Sequence, residues 1–214
     1  MLDHNLKRFF ILIVSTLLLL DVATAKSTTI SVELSDGSRV SKVKVIQRKQ
    51  QDVELSILGL TVGRSKLSDV KGVFGGGEVY HEGDAGNSLY VLCYAGMDGS
   101  VITFESGEMG GSEHVISSAG LFGAEAQYRL KKICTKSSKV NLGLNIGEVR
   151  VGMSKDLVKK ILGSPSKEQS KLLLYQYQVA EQRPKGGADV SSSFEIHFVA
   201  GKVSHLSASR VESY

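Results

Sequence analysis

The spacing of polar and apolar positions along this chain changes period several times, and each change marks an element. Strict alternation runs through Phe194, Ile196 and Phe198, with Glu195 and His197 between them, which predicts a half-buried strand. Extended segments are also predicted at Leu89 to Tyr94, Val101 to Glu105, His114 to Ser117, Leu173 to Gln178 and His205 to Ala208. Two stretches follow the helical period instead. Leu67, Val70, Val73 and Phe74 share one face before Gly75, and Leu157, Val158, Ile161 and Leu162 do so before Gly163, with Pro165 as a stop. Ser154 is placed to cap the second helix, and Asp156 suits its positive end. Ahead of these, Ile30 to Leu34 and Val40 to Ile46 flank Ser35-Asp36-Gly37-Ser38, the pattern of a hairpin. Val53, Leu55 and Ile57 alternate into the first helical stretch, as Val140, Leu142, Leu144 and Ile146 do into the second. The segment from Arg183 to Ser192, with Pro184, Gly186 and Gly187, reads as a loop.

These elements recur with a period of about 89 residues. Leu60-Thr61-Val62-Gly63-Arg64-Ser65-Lys66 reappears as Val149-Arg150-Val151-Gly152-Met153-Ser154-Lys155, each running into its helix and then into strands in matching order. Tyr90, Tyr94, Tyr175 and Tyr177 fall on those strands, where packing in the core is the simpler reading than a binding surface.

The first 25 residues carry Lys7 and Arg8, an apolar run from Phe9 to Leu20, and Ala23-Thr24-Ala25 as a small-x-small cleavage site, the pattern of a secretory signal peptide. The run is too short to span a bilayer, which takes about 20 residues. A mature chain of 26–214 keeps the net charge of +4, too weak to argue a polyanionic partner, and no nucleic-acid role is expected. Cys93 and Cys134 are the only cysteines, and in an oxidising compartment they are a candidate disulfide, two separate buried thiols being the alternative.

Catalytic patterns do not assemble. Gly59 to Ser65 is one residue short of a phosphate loop and has Arg64 in place of its Lys, while Gly152 to Asp156 lacks the closing glycine of a nucleophile elbow. His81, His114, His197 and His205 form no ligand-spaced pair, so no metal and no cofactor is expected.

The pattern Gly152-Met153-Ser154 through Gly163, then Tyr175-Gln176-Tyr177, then Phe194 to Val203, resembles the small outer-membrane protein A/OmlA (BamE-like) family, whose fold is shared with the beta-lactamase inhibitory protein, a tandem of two such units. The resemblance covers about two-thirds of the mature chain, but no cysteine lies near the cleavage site, so no lipid anchor is expected. It implies an α+β protein of two tandem repeats, each with short helices packed on an antiparallel β-sheet, preceded by an N-terminal β-hairpin. The expected divisions are 1–25 signal peptide, 26–57 β-extension, 58–135 first repeat and 136–214 second repeat.

The expected function is that of a non-catalytic bacterial envelope protein, periplasmic or secreted, with no transmembrane segment after cleavage. It binds another envelope or extracellular protein through its sheet faces, with a link to envelope assembly among the roles implied. The candidate binding residues are Thr103, Glu105, Gln176, Gln178, Glu195 and His197, the polar side of the predicted strands. A hydrolase inhibitor is the second reading, and a binder of small ligands or cell-wall fragments the third.

Overall fold

Helical period and helix-stopping glycine produce the two helices where the pattern places them. In the computed structural model, which describes residues 28–84, 86–125, 133–183 and 186–213, these are α1 (Leu67–Phe74) and α2 (Lys155–Leu162). Gly75 and Gly163 terminate them with positive φ, a conformation that strains any residue with a Cβ. The Ser154 hydroxyl caps α2 by accepting the Leu157 N–H at 3.3 Å. In α1 the cap comes from within the first turn, where the Asp69 carboxylate accepts the Lys66 N–H.

Most of the remaining regular structure is strand, which makes up 50% of the described residues against 13% helical, short 3-10 turns included. β1 (Thr29–Glu33) and β2 (Arg39–Lys44) form a separate hairpin. Short pairs β3 (Ser56–Ile57) with β4 (Leu60–Thr61), and β10 (Asn145–Ile146) with β11 (Val149–Arg150), precede the two helices. The first part of the main sheet contains β5 (Tyr80–Glu82), β6 (Leu89–Ala95), β7 (Val101–Gly107) and β8 (Ser118–Phe122). The second contains β12 (Lys167–Gln169), β13 (Leu172–Arg183), β14 (Gly186–Val199) and β15 (Lys202–Ser213). Their order is β12-β13-β14-β15-β8-β7-β6-β5, and β9 (Thr135–Lys136) adds a ninth strand parallel to β6.

This topology corrects the expected fold class. The duplicated segments do not make two helix-on-sheet units. β15 pairs with β8, Ser207 opposite Gly120 at the centre of the contact, and this joins both sets of strands into one large sheet that is antiparallel apart from β9. The helices are two short elements on a predominantly β molecule. One apolar cluster runs across the join, from Val70, Phe74 and Phe104 to Val158, Tyr175 and Phe194. The physical reason is edge satisfaction and size. Each set of strands leaves an unpaired edge with open N–H and C=O groups, and a unit of about 60 residues buries little apolar surface alone.

Two local expectations also change. The segment read as a loop from Arg183 to Ser192 is largely strand, with Gln182 opposite Gly187 and Glu181 opposite Ala188; residues 184 and 185 lie outside those described. Ladder hydrogen bonds come from the backbone, so the glycines do not interrupt them, and Ala188 and Val190 supply the buried positions. His114 to Ser117 is not a strand: His114 adopts a positive φ of 50°, and pairing begins at Ser118. The expected signal peptide lies outside the described residues.

Tyr94, Tyr175 and Tyr177 are buried on the helix-bearing face, and Tyr90 packs at the edge of the same core. Cys93 and Cys134 are placed as a disulfide with Cα atoms 4.9 Å apart, beside β9. No helix among the described residues is long and apolar enough to cross a membrane.

Candidate functional site

Period-2 alternation sends half the strand side chains to the face opposite the helices, and residues paired across strands point the same way. The ladder therefore gives the composition of this outer face. One row reads Thr103, Gly120, Ser207, Glu195 and Leu174 across β7, β8, β15, β14 and β13. The next reads Glu105, Ser118, Ser209, Ser193 and Gln176, and Gln178 lies opposite Ser191 beyond it. On the other side of the first row come Phe122, His205, His197 and Leu172. All six candidate residues thus lie on one face of one sheet.

Hydrogen bonds stitch this polar field together. The Ser118 hydroxyl donates to Glu105 Oε2 at 3.1 Å, the Ser193 and Ser209 hydroxyls are 2.8 Å apart, and Gln176 Nε2 donates to Ser191 Oγ at 2.9 Å. Exposure is uneven. Thr103, Gln176 and Glu195 are buried, at 2%, 5% and 5%, whereas Glu105, Gln178 and His197 are half-buried.

Glu195 owes its burial to the N-terminal hairpin. Leu34, Val40 and Val43 of that hairpin pack on Leu172 and Leu174, which brings its turn over β14. Ser35 there donates its backbone N–H to both Glu195 oxygens, at 3.2 and 3.0 Å, and its hydroxyl to Oε2 at 2.8 Å. His197 Nε2 is 3.8 Å from the same carboxylate and has no hydrogen-bond partner among the described residues. The His197 ring stacks on His205 with centroids 4.1 Å apart, and His205 stacks in turn on Phe122 at 5.5 Å. Burial, followed by the neighbouring His197, pushes the His205 pKa down to about 4, so this imidazole is neutral at pH 7.

The glycine turn that approaches a phosphate loop in sequence serves packing. A Cβ at Gly63 would lie 2.4 Å from Arg210 Cδ, so the turn sits flush on that side chain. Buried Arg210 donates to Asp52 Oδ1 at 2.6 Å and to the Gln50 carbonyl at 2.8 Å, and Arg64 pairs with the other Asp52 oxygen. Burial opposes ionisation of Asp52, but the two guanidinium groups hold its carboxyl below the usual range. His81 stacks on Tyr90, which also meets His114, so these histidines serve a ring cluster on the opposite side from His197. Among the described residues no group of three His, Cys, Asp or Glu is arranged to hold a metal ion.

Reading single strands picks out the polar members of β7, β13 and β14 but passes over the serines between them. Ser207 and Ser209 alternate with Leu206 and Ala208, a signal present in the sequence. Ser35 gives no such signal, because its connection to Glu195 spans 160 positions.

No protein-family model, curated protein or solved structure matches this chain.

Proposed function

We propose that the chain is an exported, non-catalytic protein of a bacterial envelope that binds another protein through the outer face of its sheet. The observation that carries this reading is the polar outer face spread over five strands, on which Glu105, Ser118, Ser207, Ser209, Ser191 and Gln178 are half-exposed. A strand ladder of hydroxyl and amide groups offers many hydrogen bonds at regular spacing, which suits a protein surface better than a small ligand. The carboxylate and imidazoles beside it are engaged with the hairpin or with one another, and they do not converge on a point where a reacting atom would sit. The Cys93–Cys134 pair is consistent with export to an oxidising compartment.

The test is site-specific photo-crosslinking in the native cell, with probes at Ser207 and Gln178 and a control probe at exposed Ser68 on α1. The same discrete heavier band from both face probes, absent from the control and lost when Ser209→Arg is added, is expected. Mass spectrometry of that band distinguishes an envelope partner from a hydrolase target. Bands that are equal at all three positions, or that persist in Ser209→Arg, overturn the reading.

A further inference from the structure

The net charge of +4 conceals a marked segregation of charge. Residues 72–125, which contain β5 to β8 and their connections, carry eight carboxylates and no Lys or Arg. Around α2 the balance reverses. Lys155, Lys159, Lys160, Lys167, Lys171 and Lys202 face only Asp156 and Glu168.

Three turns of the chain bring these lysines together. Lys155 Nζ donates to the Gln169 and Ser170 carbonyls at 2.7 and 3.2 Å, which fixes the start of α2 against the β12–β13 turn. Ser154 forms an isolated antiparallel bridge with Lys202, and the Phe198 N–H donates to the Lys171 carbonyl, which brings in the β14–β15 turn. Glu168 is shared by Lys155 and Lys159, at 3.5 and 2.9 Å, so the one acid on β12 is already engaged. Lys160, Lys171 and Lys202 are exposed and Lys167 is half-buried, and none of the four has an ion-pair partner among the described residues.

From this we infer that the α2 end of the sheet is a second binding surface, distinct from the outer face, and that it holds a flexible polymer of phosphate groups. The character of the cations selects that class. They are all lysines, hydrated point charges that respond to charge density and lack the planar fork that reads one group bidentately. A bilayer surface fits less well. α2 has only eight residues and exposes a single leucine, Leu157, whereas an interfacial helix needs a broad apolar face. The acidic strands at the far side of the sheet repel the same polymer and so orient the molecule on it. This surface does not depend on the protein-binding reading of the outer face.

Binding of long-chain inorganic polyphosphate to the purified chain tests the inference. With about four cations engaged, affinity falls by roughly 100-fold between 50 and 200 mM salt, by counterion release. The variant K160Q/K171Q/K202Q is expected to bind at least ten times more weakly at 50 mM salt, while K160R/K171R/K202R keeps wild-type affinity. All three side chains lie on the surface outside any described ion pair, and an unchanged thermal transition verifies that the glutamine variant is folded. No binding at 50 mM salt, binding that ignores the glutamine substitutions, or retention by phosphatidylglycerol vesicles without binding to polyphosphate each overturns it.

Discussion

His205 shows how one side chain can make this molecule sensitive to acid. Its pKa of about 4 in the folded protein lies below the ordinary 6.5, because burial between Phe122 and His197 disfavours the cation. An unfolded chain therefore takes up this proton first on acidification. The stabilising difference is complete above about 6.5 and is lost as pH falls toward 4. Urea midpoints measured at pH 7, 5.5 and 4 should decline, and His205→Phe, which preserves a ring in the stack, should flatten that decline. An identical pH profile for the variant would remove His205 from the account. Alternation places Glu195 and His197 together on a strand face without any structure. It does not predict that Glu195 is buried, because the Ser35 hydroxyl and N–H that cover it come from the far end of the chain.

The helices end on a shared device. Tyr94 donates its hydroxyl to the Gly75 carbonyl at 2.9 Å, and Tyr175 donates to the Gly163 carbonyl at 3.0 Å. Each bond satisfies a helix-terminal carbonyl that the helix itself leaves open. Burial raises the pKa of both phenols, so they remain donors across the working range. Tyr94→Phe and Tyr175→Phe should each cost about 1 kcal/mol in denaturant unfolding, and the double variant about the sum, since the two sites have no common partner. A cost near zero for both would mean that solvent satisfies these carbonyls equally well. The helices were legible because apolar period, cap residue and stop glycine agree over one short window. The far end of the β13–β14 ribbon was not, since Pro184, Gly186 and Gly187 carry turn propensity while the ladder that overrides it involves only backbone groups.

The molecule as a whole depends on long-range closure, and the Cys93–Cys134 bridge closes a separation of 41 residues. In the chain-entropy view, removing such a link costs about 4 kcal/mol. Reduction with dithiothreitol, or the Cys93→Ala/Cys134→Ala variant, should lower the unfolding midpoint markedly and steepen the denaturant slope, because the released unfolded chain exposes more surface. A midpoint that stays in place would show that the bridge does not restrict the unfolded chain. The amino-acid order was sufficient to locate both helices, the N-terminal hairpin and the polar side of the principal strands, because each is written in periodicity or turn chemistry over a few neighbouring residues. Whether the duplicated strands would stand apart or fuse was settled by the β8–β15 pairing, which depends on two edges finding each other across the chain. The covering of Glu195 by the hairpin and the gathering of lysines around α2 were settled in the same way. Such contacts depend on distance in space, and no local pattern encodes which segment will arrive.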